Sequence, residues 1–250
     1  MVKTFKEYEY NLIGVDDFSI ESNSRLRFWY NHIRKNALKN DGNIFEFGVY
    51  KGNSLIAAAL ILKELNSKKK IFGFDSFSGF PGYSKFDSLN NFYNLKYFTK
   101  SFIKDYKKFI NLKKKFFKLK KINPSSIARS GNFNQTSLYY LKKKIEYFKL
   151  KNIEIVKGSF KKTVPEFFKK KMKISSSNID CDLFEGYNTV LPYVYTNLSK
   201  NGYINLDEYY SFKYPGAKIA IDDFCKKLKL KPKKNKNRLN EFERWYLTKK

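Results

Sequence analysis

Ile71-Phe-Gly-Phe-Asp-Ser-Phe-Ser-Gly-Phe-Pro81 decides the fold when it is read with Ile44-Phe-Glu-Phe-Gly-Val-Tyr-Lys-Gly-Asn-Ser54 upstream. Each stretch is a short apolar run that stops at a carboxylate or a glycine. A buried parallel strand has this pattern where it emerges at a ligand-bearing edge. An apolar helical segment over about 53–65 joins the two runs, making one βαβ unit of roughly 30 residues. A glycine turn closes the first strand, and Asp75 closes the second. This is the layout of a nucleoside-binding crevice.

Outward from that unit the alternation continues. Arg25 to Leu38 carries Leu26, Trp29, Tyr30, Ile33 and Ala37 at helical spacing, which predicts a packed helix within an N-terminal arm over residues 1–40. The only histidine, His32, falls on that helix and reads as a core-edge or surface residue. Further strands are expected at Ile153–Val156, Ile174–Asp180 and Tyr203–Asp207, and a late antiparallel strand at Phe242–Leu247. Helices are expected at Thr163–Met172, at about 188–199 and from Pro215 to about Leu228, with a turn at Asn201-Gly202. Strands alternating with helices predict an α/β fold with a doubly wound sheet and ligands at the strands' carboxyl ends.

Residues 82–150 break the pattern. They hold an aromatic segment from Phe86 to Phe98, a lysine-rich segment from Lys104 to Lys121, and a helical pattern at Thr136–Leu150. An insertion of this length beside a crevice reads as a lid within a single domain spanning 1–250. Phe109, Ile110, Leu112, Phe116, Phe117 and Leu119 among lysines make its middle a basic amphipathic helix. Such a helix packs over the site or against a partner subunit, or lies on a membrane surface.

Composition narrows the classes. The chain has 250 residues, ample for a core, and 18% aromatic residues. No stretch approaches the ~18 consecutive apolar residues of a membrane helix, and the N-terminal stretch carries acids where a signal peptide has its apolar run. Cys181 and Cys225 sit in no metal or redox motif. A reduced, cytoplasmic protein is expected. The formal net charge of +28 fits either a compositional bias toward lysine or an anionic partner. A basic RNA- or membrane-associated binding protein is therefore the alternative to an enzyme. Acids at the strand ends oppose a phosphate backbone there.

Two constellations carry chemistry. Glu46-x-Gly48-x-x-x-Gly52 is a glycine turn after a strand, followed by a helix start at Asn53-Ser54 with free N–H groups. It is neither a G-x-G-x-x-G turn nor a phosphate loop, which counts against dinucleotides and nucleoside triphosphates. Asp75 is placed to accept hydrogen bonds from both hydroxyls of a ribose, or else to cap its own turn. Asp180 and Asp182 close one strand, and Asp207-Glu208 close its neighbour. Three hard oxygen ligands converging there suit Mg²⁺ or another divalent cation. The other reading makes these acids helix caps or partners of the many lysines.

Six segments occur in order: Glu46–Ser54, Phe74-Asp-Ser-Phe-Ser-Gly-Phe-Pro81, Lys157-Gly-Ser-Phe-Lys-Lys-Thr-Val-Pro165, Ile179-Asp-Cys-Asp-Leu-Phe-Glu185, Leu198–Glu208 and Pro215–Phe224. From about residue 25 to 225 the series resembles the macrocin O-methyltransferase family, which methylates sugar hydroxyls on antibiotics and related glycosides. The resemblance implies a Rossmann-like class I methyltransferase fold using S-adenosylmethionine and a divalent cation. It implies that Glu46, Gly48, Gly52 and Ser54 surround the cofactor's amino-acid part. Asp75 would hold the ribose, with Ser76 and Gly158-Ser159 nearer the adenine. Asp180, Asp207 and Glu208 would bind the metal, and Asp180 or Asp182 would accept the proton. The implied acceptor is a sugar, a glycosylated small molecule or a surface glycan; a homo-oligomer formed through the insertion is a further expectation. Two departures stand out: Asp207-Glu208 where the family has Asp-Asp, and Gly186-Tyr187 where it has Ser-Thr.

Overall fold

Strands β1 (Asn43–Phe47) and β2 (Ile71–Asp75) lie side by side and parallel, with Ile44 opposite Ile71 and Phe47 opposite Phe74. Both are buried on two faces, which is why their sequences are near-continuous apolar runs. Strand β3 (Ile153–Lys157) adds outside β2, while β4 (Ile174–Ile179) and β5 (Leu198–Leu206) add on the far side of β1. Strands β6 (Lys233–Lys234) and β7 (Trp245–Thr248) complete a seven-stranded sheet of order β3-β2-β1-β4-β5-β7-β6, β7 running antiparallel to β5. The computed structural model describes residues 25–128, 130–237 and 241–249; the part of the expected arm over residues 1–24 lies outside them.

Alternation along each strand builds two cores. Phe45, Phe47, Phe72 and Phe74 face α6 (Phe160–Phe167), α7 (Phe184–Asn197) and α8 (Pro215–Lys227). Ile44 and Ile71 face α1 (Arg27–Asn36), α2 (Asn53–Glu64) and α5 (Leu138–Tyr147). Trp29 and Ile33 of α1 are fully enclosed, so the described end of the arm is a core helix. His32 stacks on Tyr203 with ring centroids 4.9 Å apart, and burial lowers its pKa to about 4. It is half-buried, the core-edge position among the two the sequence offered.

Three expectations shift. The helices expected at 163–172 and 188–199 begin earlier, at Phe160 and Phe184, and the late strand runs Trp245–Thr248 rather than 242–247. The expected turn at Asn201-Gly202 lies inside β5. There Asn201 has φ +59°, and the register with β4 jumps from Ile174↔Leu198 to Ser176↔Tyr203. The turn residues make a bulge instead of ending a strand.

Between β2 and β3 the insertion carries α3 (Lys100–Phe117), the short α4 (Pro124–Ile127) and α5. Phe92, Phe98, Phe102 and Tyr106 form a small core against Tyr210 and Phe212, beyond β5. Ile127 and Ala128 pack with Leu183 and Tyr214 in another. The amphipathic helix is therefore half-anchored. Phe102 and Tyr106 are buried, whereas Leu112 is 67% and Phe116 77% exposed where α3 runs past the body. No described helix is long and apolar enough to cross a membrane.

A buried carboxylate that the sequence did not reveal ties the insertion down. Asp87 is fully enclosed; its Oδ2 accepts from Ser84 N and Oγ at 2.8 and 2.7 Å, and its Oδ1 from Phe184 N at 2.9 Å. The last bond satisfies an N–H that α7 leaves open at its first residue.

Candidate active site

The strands' carboxyl ends hand their ladders directly to the predicted site residues. Gly48 N donates to Phe74 O, Gly158 N to Asp75 O, Asp180 N to Phe47 O and Asp207 N to Ile179 O, at 2.9 to 3.2 Å. Five adjacent strand ends thus converge beside the β1/β4 step, where the strand order reverses and doubly wound sheets open a crevice. A cavity of about 1440 Å³ lies there. It exceeds the ~300–1,000 Å³ usual for one ligand, so it has room for a cofactor and an acceptor together.

Gly48, Gly52, Ser54, Asp75, Ser76, Gly158 and Ser159 line the cavity together with Asp180, Asp182, Asp207 and Glu208. The insertion contributes Phe109, Lys113, Ile127 and Phe133. Of the predicted set, Glu46 alone is not in the lining.

Glu46 is fully buried and takes a hydrogen bond from Asn178 Nδ2 at 2.9 Å. Asn178 in turn accepts from Asn205 Nδ2 at 2.8 Å, so a polar ladder crosses β1, β4 and β5 in register. Burial pushes the Glu46 carboxyl up to about 8, although Ser54 and Asn178 oppose the rise. Its second oxygen has no partner of hydrogen-bonding geometry among the described residues.

Asp75 caps turns, one of the two roles read from the sequence. Its Oδ2 accepts from Val49 N and Tyr50 N, both at 2.8 Å, and its Oδ1 from Phe77 N at 2.7 Å. A carboxylate offers about four acceptor sites, so about one remains for a ligand. No side chain caps the N-terminus of α2, where Asn53 and Ser54 face the cavity, so its open N–H groups and dipole suit an anionic group.

On the other side, Asp180, Asp207 and Glu208 bring ligand oxygens within 4.8 Å of one another. Arg25 bridges two of them, with Nη2 2.6 Å from Asp180 Oδ2 and Nη1 bonded to Asp207 Oδ2. Sequence reasoning offered lysines as partners for these acids and missed Arg25, which lies far away along the chain. Burial works to raise Asp207, but Arg25 and Arg244 hold it at about 2. Burial, reinforced by Asp180, Asp207 and Asp182, pushes Glu208 well above the usual carboxylate range. Asp182, at φ +57°, is pushed up to about 7 by burial even though Lys213 opposes it.

The two departures noted in the sequence meet here. The Tyr187 hydroxyl lies 2.6 Å from Glu208 Oε2 and 2.7 Å from Ile179 O, so the tyrosine holds the longer acid in place. Gly186 is needed by its neighbour: a Cβ there would lie 2.6 Å from Cys181 Cβ. Cys181 lines the cavity, yet burial raises its thiol well above normal, which disfavours a thiolate there.

The acid cluster fits a hard divalent cation. Its donors are carboxylate oxygens, and Asp207 Oδ1 and Asp182 Oδ1 are buried with no hydrogen-bond partner among the described residues. Unpaired buried carboxylate oxygens are costly unless a cation or donor meets them.

A family model described as Macrocin-O-methyltransferase (TylF) matches residues 126–238. Among solved structures, the O-methyltransferase NovP superposes with a TM-score of 0.63 at 17% identity, covering 90% of this chain and 77% of its own. CalS11, a calicheamicin methyltransferase, gives 0.62 at 21% identity, covering 89% and 76%. An apo structure of CalS11, there called a TDP-rhamnose 3'-O-methyltransferase, gives 0.53 at 19%, covering 88% and 76%. No curated protein sequence matches the chain. At these identities the structural likeness establishes the class I methyltransferase fold. On that fold, the family match over 126–238 supports an S-adenosylmethionine-dependent O-methyltransferase, in line with the macrocin-type resemblance read from the motifs.

Proposed function

We propose that this O-methyltransferase transfers its methyl group to a hydroxyl of a sugar or a glycosylated molecule, and that it requires a divalent cation, Mg²⁺ or a similar ion. The observation that carries the reading is one cavity lined both by the glycine turn with Asp75 and by the converging Asp180, Asp207 and Glu208. The similarity to NovP and CalS11 supports a sugar-bearing acceptor.

In this reading the cofactor's amino-acid part lies along Gly48, Gly52 and Ser54, its carboxylate toward the open N–H groups of α2. Asp75 uses its remaining acceptor site for the ribose, and Ser76 and Gly158-Ser159 flank the adenine. Glu46 acts through Ser54 and Asn178 rather than by contact. A cation held by Asp180, Asp207 and Glu208 would stabilise negative charge developing on the acceptor oxygen.

Asp182, with an unpartnered oxygen on the cavity, is the candidate proton acceptor, and Asp180 the other. The acceptor's O–H proton passes to this carboxylate as the oxygen bonds to the methyl carbon. The carbon–sulfur bond breaks at the same time and leaves a neutral thioether. The cavity walls and the insertion align oxygen, carbon and sulfur and exclude water.

Two buried, free cysteines support a reducing, cytoplasmic setting. Leu112 and Phe116 on α3 are where a second copy would pack. Four carboxylates at the rim oppose entry of a nucleic-acid backbone, which argues against the RNA-binding alternative.

The test offers the protein S-adenosylmethionine with a labelled methyl group, Mg²⁺ and free or nucleotide-linked sugars. Label is expected in the sugar as an alkali-stable ether. Asp75→Ala is expected to raise the cofactor concentration that half-saturates labelling. Cofactor turnover that labels only water or protein would refute the sugar acceptor.

A further inference from the structure

We propose that Arg25 sets the cation affinity of this site by competing for it: its guanidinium and a divalent cation are alternative partners of Asp180 and Asp207. The inference rests on the metal-dependent reading above. One planar guanidinium spans both carboxylates, using Oδ2 of each. These same two residues, with Glu208, bring their ligand oxygens within 4.8 Å. A fork that satisfies two acids at once holds them as a cation would, with one charge instead of two.

Charge balance says why both cannot stay. Asp180, Asp182, Asp207 and Glu208 share the cavity wall with Arg25, Lys213 and Arg244. Adding a divalent ion to that set puts five positive charges against at most four negative ones in a partly desolvated site, where like charges repel strongly. Departure of one cation restores the balance. Arg25 is the one that occupies the ligand oxygens, and it has room to leave. Its side chain is 45% exposed, while Asp180 and Asp207 are 15% and 7% exposed. It also lies ahead of α1, whose Trp29 and Ile33 are locked in the core, so the side chain can swing outward without moving the helix.

The competing role and an orienting role have opposite signs. If Arg25 orients the carboxylates for the metal, as outer partners of ligands often do, removing it weakens cation binding. If it competes, removing it tightens binding.

Calorimetric titration of the full chain with Mn²⁺ alone decides between them. Arg25→Ala is expected to bind about tenfold more tightly than wild type, the scale of losing two part-exposed ion pairs. Arg25→Lys, which keeps the charge, is expected to remain near wild type and so to show that the gain comes from the charge. In protein labelled at arginine nitrogen, Mg²⁺ is also expected to shift the Arg25 side-chain resonance toward that of a free guanidinium.

Equal affinity in Arg25→Ala and wild type would overturn the proposal while leaving the metal reading intact. Weaker affinity would overturn it in favour of an orienting role. No cation binding by any of the variants would instead remove the metal reading, and the proposal with it.

Discussion

Gly48→Ala is expected to cost more than about 4 kcal/mol, the range reached only by exceptional substitutions. Gly48 has φ +92°, and a Cβ there would lie 1.8 Å from the carbonyl oxygen of Asp180. The obstacle is backbone, in the central strand pair, so no side-chain rotation can relieve it. Left-handed strain adds roughly 1–2 kcal/mol. A domain of this size loses about 2–4 °C of melting temperature per kcal/mol, so a fall of roughly 10 °C or more is expected in a thermal melt. Gly131→Ala is the control. Gly131 has φ +56°, but the nearest atom to its Cβ, Ser125 O, is 3.9 Å away. It should lose only the strain. Equal losses at the two sites would show that the Gly48–Asp180 approach is looser than described.

Chelation is expected to abolish methyl transfer, and Asp207→Asn to reduce turnover at least about 100-fold, beyond the ~10–100-fold typical of outer-shell partners of a metal. The amide keeps the shape and an oxygen for Arg25, so the fold should survive, but it loses the charge that holds a hard cation. Binding of S-adenosylmethionine should change little, because the glycine turn, Asp75 and the Gly158-Ser159 turn are untouched by the substitution. Calorimetry of cofactor binding beside a turnover assay separates the two effects. Full activity after exhaustive chelation would make these acids proton carriers or ion-pair partners only.

Much of the crevice was legible in the sequence because its strands are buried on both faces. Strand runs ending at Gly48, Asp75, Asp180 and Asp207 located four strand ends, and with the end of β3 at Gly158 all five meet at one rim. Local signals failed where long-range contacts decide. Arg25 reaches partners 155 and 182 positions away, and nothing in its surrounding sequence marks it as the cluster's counter-charge. Asp87 looked like one polar residue in an aromatic segment, yet its burial follows from docking onto α7, 97 positions on. The family resemblance placed Glu46 around the cofactor, yet it is not in the cavity lining. The alternation along β1 points it to the opposite face from Phe45 and Phe47, into the ladder with Asn178 and Asn205. Asn201-Gly202 has turn composition, but the strand continues past it as a bulge, because Asn201 N donates to Lys249 O beside β7. The helix starts moved for a similar reason. Phe160 and Phe184 pack against the sheet, and that packing extends each helix toward its N-terminus.

The most direct test of the central claim, that cofactor and cation meet in one cavity, is proton NMR of the S-adenosylmethionine methyl group on the enzyme with Mn²⁺ bound. A paramagnetic ion held by Asp180, Asp207 and Glu208 should strongly accelerate relaxation of that methyl signal. Asp207→Asn should remove the effect while the cofactor stays bound. A cofactor and a cation both shown to be bound, with the methyl relaxing no faster than in the metal-free enzyme, would contradict the account.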